Sequence, residues 1–375
     1  MGELLVQIIF VLAMVTPAMG VINLPLYWPL SRKVAANPPA LSVLIPARNE
    51  EARITPVLQS LQASRGVEFE VIVADDSSTD RTADIVKGFA KDDPRFRLVT
   101  TPPLPAGWKG KNYPCFFLSK QASHRLGVFL DADVTLSPDA LERIASEFAR
   151  RPELKLLSGF PHQITGSFWE KLLIPLIHTV LLGYLPFPGV KFTNSPMFAT
   201  ACGQLIAVDL DAYHDVGGHE RIRHSVHDGV MLPRHFRAAG YRTDLVDITG
   251  ISATRMYENG PQVFNGLMKN AHEGMATPVG LPVWTTLLLG GHVLPPLVAL
   301  WAWSSGMTGN TLHLAIAAAV LPWLMRFIMA ARFRLSWLGA LLHPVGVAVL
   351  VGLQWYAFIR RRSGHTVSWK DRPVG

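Results

Sequence analysis

Two acidic pairs in this chain sit where an apolar run stops. Leu126-Gly127-Val128-Phe129-Leu130 ends in Asp131-Ala132-Asp133, and Phe69-Glu70-Val71-Ile72-Val73-Ala74 ends in Asp75-Asp76. A buried strand has no stability reason to finish on two like charges, since each carboxylate disfavours ionisation of the other. A divalent cation removes that penalty. Hard oxygen donors suit Mg2+ or Mn2+ held jointly by carboxylates and substrate phosphates. The competing reading of Asp131-Ala132-Asp133 is a strand-to-turn pair capping a helix that starts near Ser137-Pro138. Asp75 and Asp76 could likewise cap the helix expected to open at Thr79-Asp80.

The elements that must position these carboxylates follow from periodicity. LSVLIP (41–46) reads as a buried strand, and a helix over about 51–66 carries Ile54, Val57, Leu58 and Leu61 at helical spacing. FEVIVA (69–74) is a second strand and FRLVT (96–100) a third, followed by the Pro/Gly-rich loop TPPLPAGWKGKNYP. A helix near 113–123 then leads into the Asp-Ala-Asp strand. This alternation predicts an α/β fold with a largely parallel sheet. Right-handed crossovers place both acidic strand ends on one edge, where open α/β sheets bind ligands. No G-x-G-x-x-G follows the first strand and no Walker A motif is present, so carboxylates and a metal would have to handle phosphates. Lys109 and Lys111 in the loop could clamp diphosphate oxygens on closure, with Trp108 shielding the site. A solvated lysine pair is the alternative.

Composition adds a membrane. The chain has 375 residues, 49% of them hydrophobic, and the apolar ones concentrate at 4–30 and 281–359. That pattern predicts membrane segments flanking a globular domain. The net charge of +7 comes partly from Arg32, Lys33, Arg332, Arg334 and Arg360-Arg361-Arg362, beside the apolar runs. Such charge fits the cytoplasmic face of an anionic bilayer, and no aromatic-interleaved basic patch argues for nucleic acid. The two cysteines, Cys115 and Cys202, form no C-x-x-C and are expected to be reduced. No positive segment precedes Leu4 and the apolar run is long for a signal peptide, so an uncleaved anchor is expected.

The expected organisation is an anchor at 1–30, a catalytic domain at 41–275, membrane helices at 281–360 and a cytoplasmic tail at 361–375. The protein would be a multi-pass inner-membrane protein with its catalytic domain in the cytoplasm. Segment 167–190 carries Pro175, His178, Pro186 and Pro188. It reads as an interfacial amphipathic segment leading a lipid to the site, since a span there would separate Asp131 from Asp228. Three C-terminal apolar stretches, about 281–303, 312–331 and 335–359, conflict with topology. Three full spans would put Arg360-Arg361-Arg362 outside, against the positive-inside rule. One stretch should therefore be re-entrant or interfacial, either the first with Gly290-Gly291-His292 or the last with His343-Pro344.

The blocks LSVLIPARNEE, VIVADDSSTDRT, LDADV and VDLDAYHDVGGHERIRHSVHDGVMLPRHFRAAGYR lie in this order across Leu41–Val246. Together they resemble the family 2 glycosyltransferases, inverting enzymes of the GT-A fold. GWKGKNYP and RMYENGPQVFNGLMKNAHEGM are similar to membrane-bound members that glycosylate lipids, including carotenoid and hydroxychlorobactene glucosyltransferases. The tail TVSWKDRPV is similar to their closing W-K-G-R motif, with Asp371 in place of Gly.

The resemblance implies nucleotide contacts at Pro46, Glu50, Asp75 and Asp76, and a metal and ribose hydroxyl held by Asp131 and Asp133. It also implies a general base at Asp228, where the family carries Glu-Asp and this chain His227-Asp228. The implied donor is a nucleotide sugar, UDP-hexose, and the acceptor a hydroxyl of a membrane lipid of carotenoid, hopanoid or glycolipid type. Transfer to a polyprenyl phosphate, or a non-catalytic nucleotide-sugar-binding protein, are the alternatives. Absence of Q-x-x-R-W, with Arg255-Met256-Tyr257 and Lys269-Asn270 in its place, weighs against a processive polysaccharide synthase. His272-Glu273 lacks a second ligand at helical spacing. His214, His219, His224, His227 and His235 lack the spacing and carboxylate of a zinc site.

Overall fold

The computed structural model describes residues 2–225, 227–271, 274–363, 367–369 and 372–374; His272, Glu273 and Asp371 lie outside them. The chain forms two compact units. One comprises Tyr27–Ile164, Gly189–Met256 and Ser368–Gly375; the other comprises Met1–Leu26, Thr165–Pro188 and Tyr257–Val367.

The first unit is built on ten strands: β1 Leu41–Ala47, β2 Phe69–Asp75, β3 Phe96–Thr100, β4 Leu126–Leu130, β5 Val134–Leu136, β6 Leu154–Ser158, β7 His162–Gln163, β8 Leu205–Asp209, β9 Arg242–Leu245 and β10 Ser252–Thr254. Seven of them form one sheet in the order β3-β2-β1-β4-β8-β6-β9. Every pairing is parallel except those of β8, which runs antiparallel to both neighbours. β5, β10 and β7 make a second, small sheet. Uninterrupted apolar runs make the central strands because both faces of the sheet are covered. Leu41, Val43 and Ile45 of β1 pack with Val57, Leu58 and Leu61 on one side, while Leu44 joins Ile72, Phe129, Ile206 and Phe236 on the other. Each such buried aliphatic side chain contributes about 1.5–3 kcal/mol against exposure.

Three helices start later than periodicity suggests, at Ile54, Thr82 and Ala140. The residues ahead of them form turns. Asp80 illustrates the cause: its Oδ1 accepts from Thr82 N at 3.0 Å and its Oδ2 from Glu51 N at 3.0 Å, tying two connections together before either helix begins. The polar stretch after the anchor is also held. Arg143 Nε donates to Ser31 O at 3.0 Å, and Ala35 N donates to Ser146 Oγ at 3.0 Å.

In the second unit, Gly2–Leu26, Gly280–Ser304 and Gly309–Phe333 are long and apolar enough to cross a membrane. Several buried polar groups there are paired internally, as an apolar solvent favours. Buried Asn23 donates to Leu182 O at 2.8 Å and Leu185 O at 2.7 Å, and accepts from Phe187 N at 3.0 Å. The carbonyls ending helix Leu176–Tyr184 are thereby satisfied. His292, inside a π-helical turn at Leu289–Val293, meets Tyr184 OH and His343 Nε2, each at 3.0 Å. The last apolar stretch is cut into Trp337–Leu341 and His343–Arg362. A methyl group on Gly339 would fall 2.0 Å from Lys171 O, so this bend seats directly on helix Phe168–Leu173.

Candidate active site

The β1–β2 edge carries Pro46, Glu50, Asp75 and Asp76. Pro46 lies opposite Ala74, and Ala47 opposite Asp75, in the parallel register. Asp76 N donates to Ala47 O at 2.8 Å, Arg48 Nη1 donates to Asp76 O at 2.7 Å, and Thr101 Oγ1 lies 3.2 Å from Asp76 Oδ1. Asp75 Oδ1 accepts from Ser78 N at 3.3 Å. Asp80, not the Asp75-Asp76 pair, meets the first backbone N–H of the following helix. Glu50 sits on the turn after β1, where its N–H donates to Thr82 Oγ1 at 2.8 Å.

β4 delivers Asp131 and Asp133 to the same edge of the sheet. Asp131 N donates to Gln204 O at 3.0 Å, and its Oδ1 accepts from Lys111 Nζ at 2.6 Å. The next helix starts only at Ala140, beyond β5, so the pair is not a cap for it. Asp133 Oδ1 is buried without a hydrogen-bond partner. Burial first, then the charges of Asp131 and Glu50, push the Asp133 carboxyl up to about 7. An orphaned oxygen on an acid with a raised carboxyl, beside a second carboxylate, is a donor set suited to a hard divalent cation. Among the described residues no group of three or more His, Cys, Asp or Glu is placed to hold a metal. A cation at Asp131 and Asp133 would therefore draw its remaining ligands from substrate oxygens and water.

Asp228 opens helix Asp228–Ala238, with His227 at the N-cap making no side-chain capping bond. Its Oδ1 accepts from Gly229 N at 2.8 Å, and its Oδ2 lies 3.2 Å from Lys111 Nζ. Lys111 thus spans Asp131 and Asp228, and donates also to Gly203 O at 2.6 Å. Burial alone would raise the Asp228 carboxyl, but Lys111 and His219 outweigh it and hold Asp228 well below the usual carboxylate range. Burial would likewise lower Lys111, and the charges of Asp131 and Asp228 overcome it, keeping the ammonium well above its ordinary value. Gly203 is needed for the approach: a Cβ there would lie 2.3 Å from Asp228 Oδ1.

The loop before Lys111 is tied to the loop before Asp228. Asn112 Nδ2 donates to Ile222 O at 2.9 Å and Ser225 O at 2.8 Å, and Lys109 N donates to Arg223 O at 2.8 Å. Trp108 packs on Tyr113 and Phe116, with ring centroids 5.2 and 5.4 Å away.

One residue set aside at the sequence level belongs to this site. His219 is fully buried with its Nε2 3.9 Å from Asp228 Oδ2, and its Nδ1 meets Tyr213 OH at 2.8 Å. The signal for it was the glycine pair before it: Gly217 and Gly218 both have positive φ, 83° and 47°. A Cβ on Gly218 would strike Tyr213 Cζ at 2.3 Å. Only glycine lets the backbone place His219 there.

A mostly parallel sheet with two acidic strand ends and a third carboxylate opening a helix is the GT-A architecture. The mannosyltransferase PcManGT from Pyrobaculum calidifontis, solved with GDP-Man and Mn2+, superposes with a TM-score of 0.52 at 17% identity, over 96% of this chain and 99% of that one. Residues 42–210 match the model of Glycosyl transferase family 2. Among curated relatives, the 4,4'-diaponeurosporenoate glycosyltransferase of Staphylococcus haemolyticus is 29% identical over 222 residues, 59% of this chain and 58% of its own length. The Staphylococcus aureus enzyme of the same name is 28% identical over 247 residues, 65% of this chain and 63% of its own. The match therefore spans about three fifths of these relatives.

Proposed function

We propose that this protein is a membrane-bound, metal-dependent inverting glycosyltransferase, moving a hexose from a nucleotide sugar to a hydroxyl of a membrane lipid. The observation that carries this reading is the convergence of Asp131 and Asp228 on Lys111, with Asp133 beside Asp131, in a chain whose residues 42–210 match the family 2 model. The donor's base and ribose would lie along Pro46, Glu50, Asp75, Asp76 and Asp131, with a UDP-linked donor as the working choice. Asp131 and Asp133 would hold a divalent cation, which would neutralise charge on the leaving diphosphate. Lys111 adds a second positive charge to that diphosphate. The acceptor oxygen attacks the anomeric carbon from the opposite face, the bond to the diphosphate oxygen breaks, and the hydroxyl proton passes to Asp228.

The lipid acceptor is supported by the candidate spans and by relatives named for a carotenoid acid. Segment 167–190, with Phe168 exposed, is our choice for the acceptor's approach. With the catalytic unit cytoplasmic, Gly280–Ser304 leaves and Gly309–Phe333 returns. Arg332, Arg334 and Arg360-Arg361-Arg362 then stay inside provided the broken last stretch does not cross.

The relatives' name favours one second reading. A carboxylate acceptor, like a polyprenyl phosphate, is already anionic and needs no base. Purified full-length protein should release UDP from a UDP-hexose only with Mg2+ or Mn2+ and membrane lipid extract, yielding a hexosylated lipid by mass spectrometry. No consumption of UDP- or GDP-hexoses under these conditions would sink the enzyme reading. Full transfer by Asp228→Asn would move the acceptor to the anionic class.

A further inference from the structure

Asp228 faces a conflict in this structure. A carboxylate paired to an ammonium is a weak base, yet the proposed step needs Asp228 to take a proton. Lys111 must therefore release Asp228 when it engages the diphosphate, which leaves a buried carboxylate in need of another donor. Among the described residues, Lys111 and His219 are the charged or titratable partners that lower Asp228, with Asp131 across Lys111 and the buried thiols of Cys115 and Cys202 also within reach of its charge.

The hydrogen-bond chain behind His219 sets its tautomer. The His219 backbone N–H donates to Tyr213 OH at 2.9 Å. That oxygen, already accepting, has its own proton to give, and His219 Nδ1 lies 2.8 Å away to receive it. A neutral imidazole accepting at Nδ1 carries its hydrogen on Nε2. Burial disfavours a second proton on the ring and keeps it neutral. Phe129, 5.0 Å from the ring edge-on, and Tyr213 hold the imidazole in place. Its Nε2 has no hydrogen-bond partner and sits 3.9 Å from Asp228 Oδ2. Closing by about 1 Å would make a normal bond.

We propose that His219 is the positioning residue of Asp228: its Nε2–H, fixed by Tyr213, takes over the carboxylate when Lys111 turns to the donor diphosphate. This rests on the reading of Asp228 as base. A neutral N–H orients the carboxylate while leaving it more basic than an ammonium does. Asp228 thus exchanges a partner that suppresses its basicity for one that aims it.

The test uses full-length protein in lipid nanodiscs, with UDP-glucose, Mn2+ and membrane lipid extract. His219→Phe should lower kcat by about 10- to 100-fold with donor KM unchanged, and move the acidic limb of the kcat–pH profile upward as the carboxylate loses a donor. His219→Gln, which can offer an amide N–H, should recover most of kcat, and Tyr213→Phe should fall between. Wild-type kcat and acidic limb in His219→Phe would overturn the proposal, as would equal losses in His219→Phe and His219→Gln with the limb unmoved. Independently of turnover, 15N-histidine spectra should show His219 as the neutral Nε2–H tautomer, shifting when UDP and Mn2+ are added. An Nδ1–H tautomer would refute it. An inactive Asp228→Asn beside an indifferent His219→Phe removes this proposal alone, whereas an active Asp228→Asn removes the base reading with it.

Discussion

Lys111 Nζ lies 3.2 Å from Asp228 Oδ2 while donating at 2.6 Å to Asp131 Oδ1, so a single ammonium joins the candidate base to the candidate metal ligand. Replacing it should be felt at the donor. A hydrogen bond to a charged group contributes about 1.5–3 kcal/mol. Lys111→Met should therefore weaken UDP binding in the presence of Mn2+ by at least about tenfold, measured by calorimetry. Unchanged affinity would remove Lys111 from the diphosphate site.

Asp133, pushed up to about 7, makes cation affinity depend on pH. Its folded-state carboxyl binds a proton more readily than in the unfolded chain, so this acid favours the metal-free fold below the unfolded value near 4. That contribution is lost as pH rises through about 7. A metal ligand must shed the proton first. Mn2+ affinity, followed by the EPR signal of free Mn2+, should rise about tenfold per pH unit up to about 7 and then level off. In Asp133→Asn that dependence should vanish along with most of the affinity.

Gly203→Ala should separate folding from chemistry. The added methyl would fall 2.3 Å from Asp228 Oδ1, displacing the carboxylate. Misplacement by about 1 Å can cost about 100-fold in rate. We expect transfer to drop by that order while the melting temperature and UDP binding stay near wild type.

A buried charge cluster stabilises the far side of the sheet. Lys191 Nζ is 2.7 Å from Asp244 Oδ1 and Arg151 Nη1 is 2.7 Å from Asp244 Oδ2, with the Lys191 and Asp244 side chains 1% and 2% exposed. Asp244→Ala leaves the buried Lys191 ammonium without its counter-charge, while Arg151 keeps Glu147, at a cost of about 3–5 kcal/mol. Thermal unfolding of the detergent-solubilised protein should show a large loss of stability. Asp84→Ala, which breaks only an exposed pair with Lys87, should show none.

What could be read from the sequence was whatever short-range pattern encodes. The apolar runs ending in Asp75-Asp76 and Asp131-Ala132-Asp133 signalled strands because a parallel sheet covered on both faces needs unbroken β-branched stretches. The antiparallel insertion of β8 between β4 and β6 left no local mark, since it is decided by which strand edge remains free. Lys111 was legible as a basic residue of a Pro/Gly-rich loop, but its bridge to Asp228 was not, since that depends on the Asn112 contacts with Ile222 and Ser225. His219 looked like one histidine among several because its meaning comes from Tyr213 below and Asp228 beyond. Among the three C-terminal apolar stretches, the positive-inside rule left two candidates for interruption, the first and the last. The structure breaks the one with His343-Pro344 at Leu342, and turns the other through a π-helical segment that keeps it continuous.

The order in which the two units use the chain constrains how the protein can be made. β6 finds its partners β8 and β9 only after residues 165–188 have been handed to the other unit, which itself waits for residues beyond Tyr257. All seven strands of the large sheet have been made once Leu245 is reached, while the other unit is still incomplete. Trimming the two ends alone leaves segment 165–188 between β7 and β8 without the helices it packs with. Its assembly therefore depends on contacts distant in sequence, the kind that close slowly. The seven strands can therefore pair before the later apolar helices are made, with segment 165–188 left waiting for its own partners.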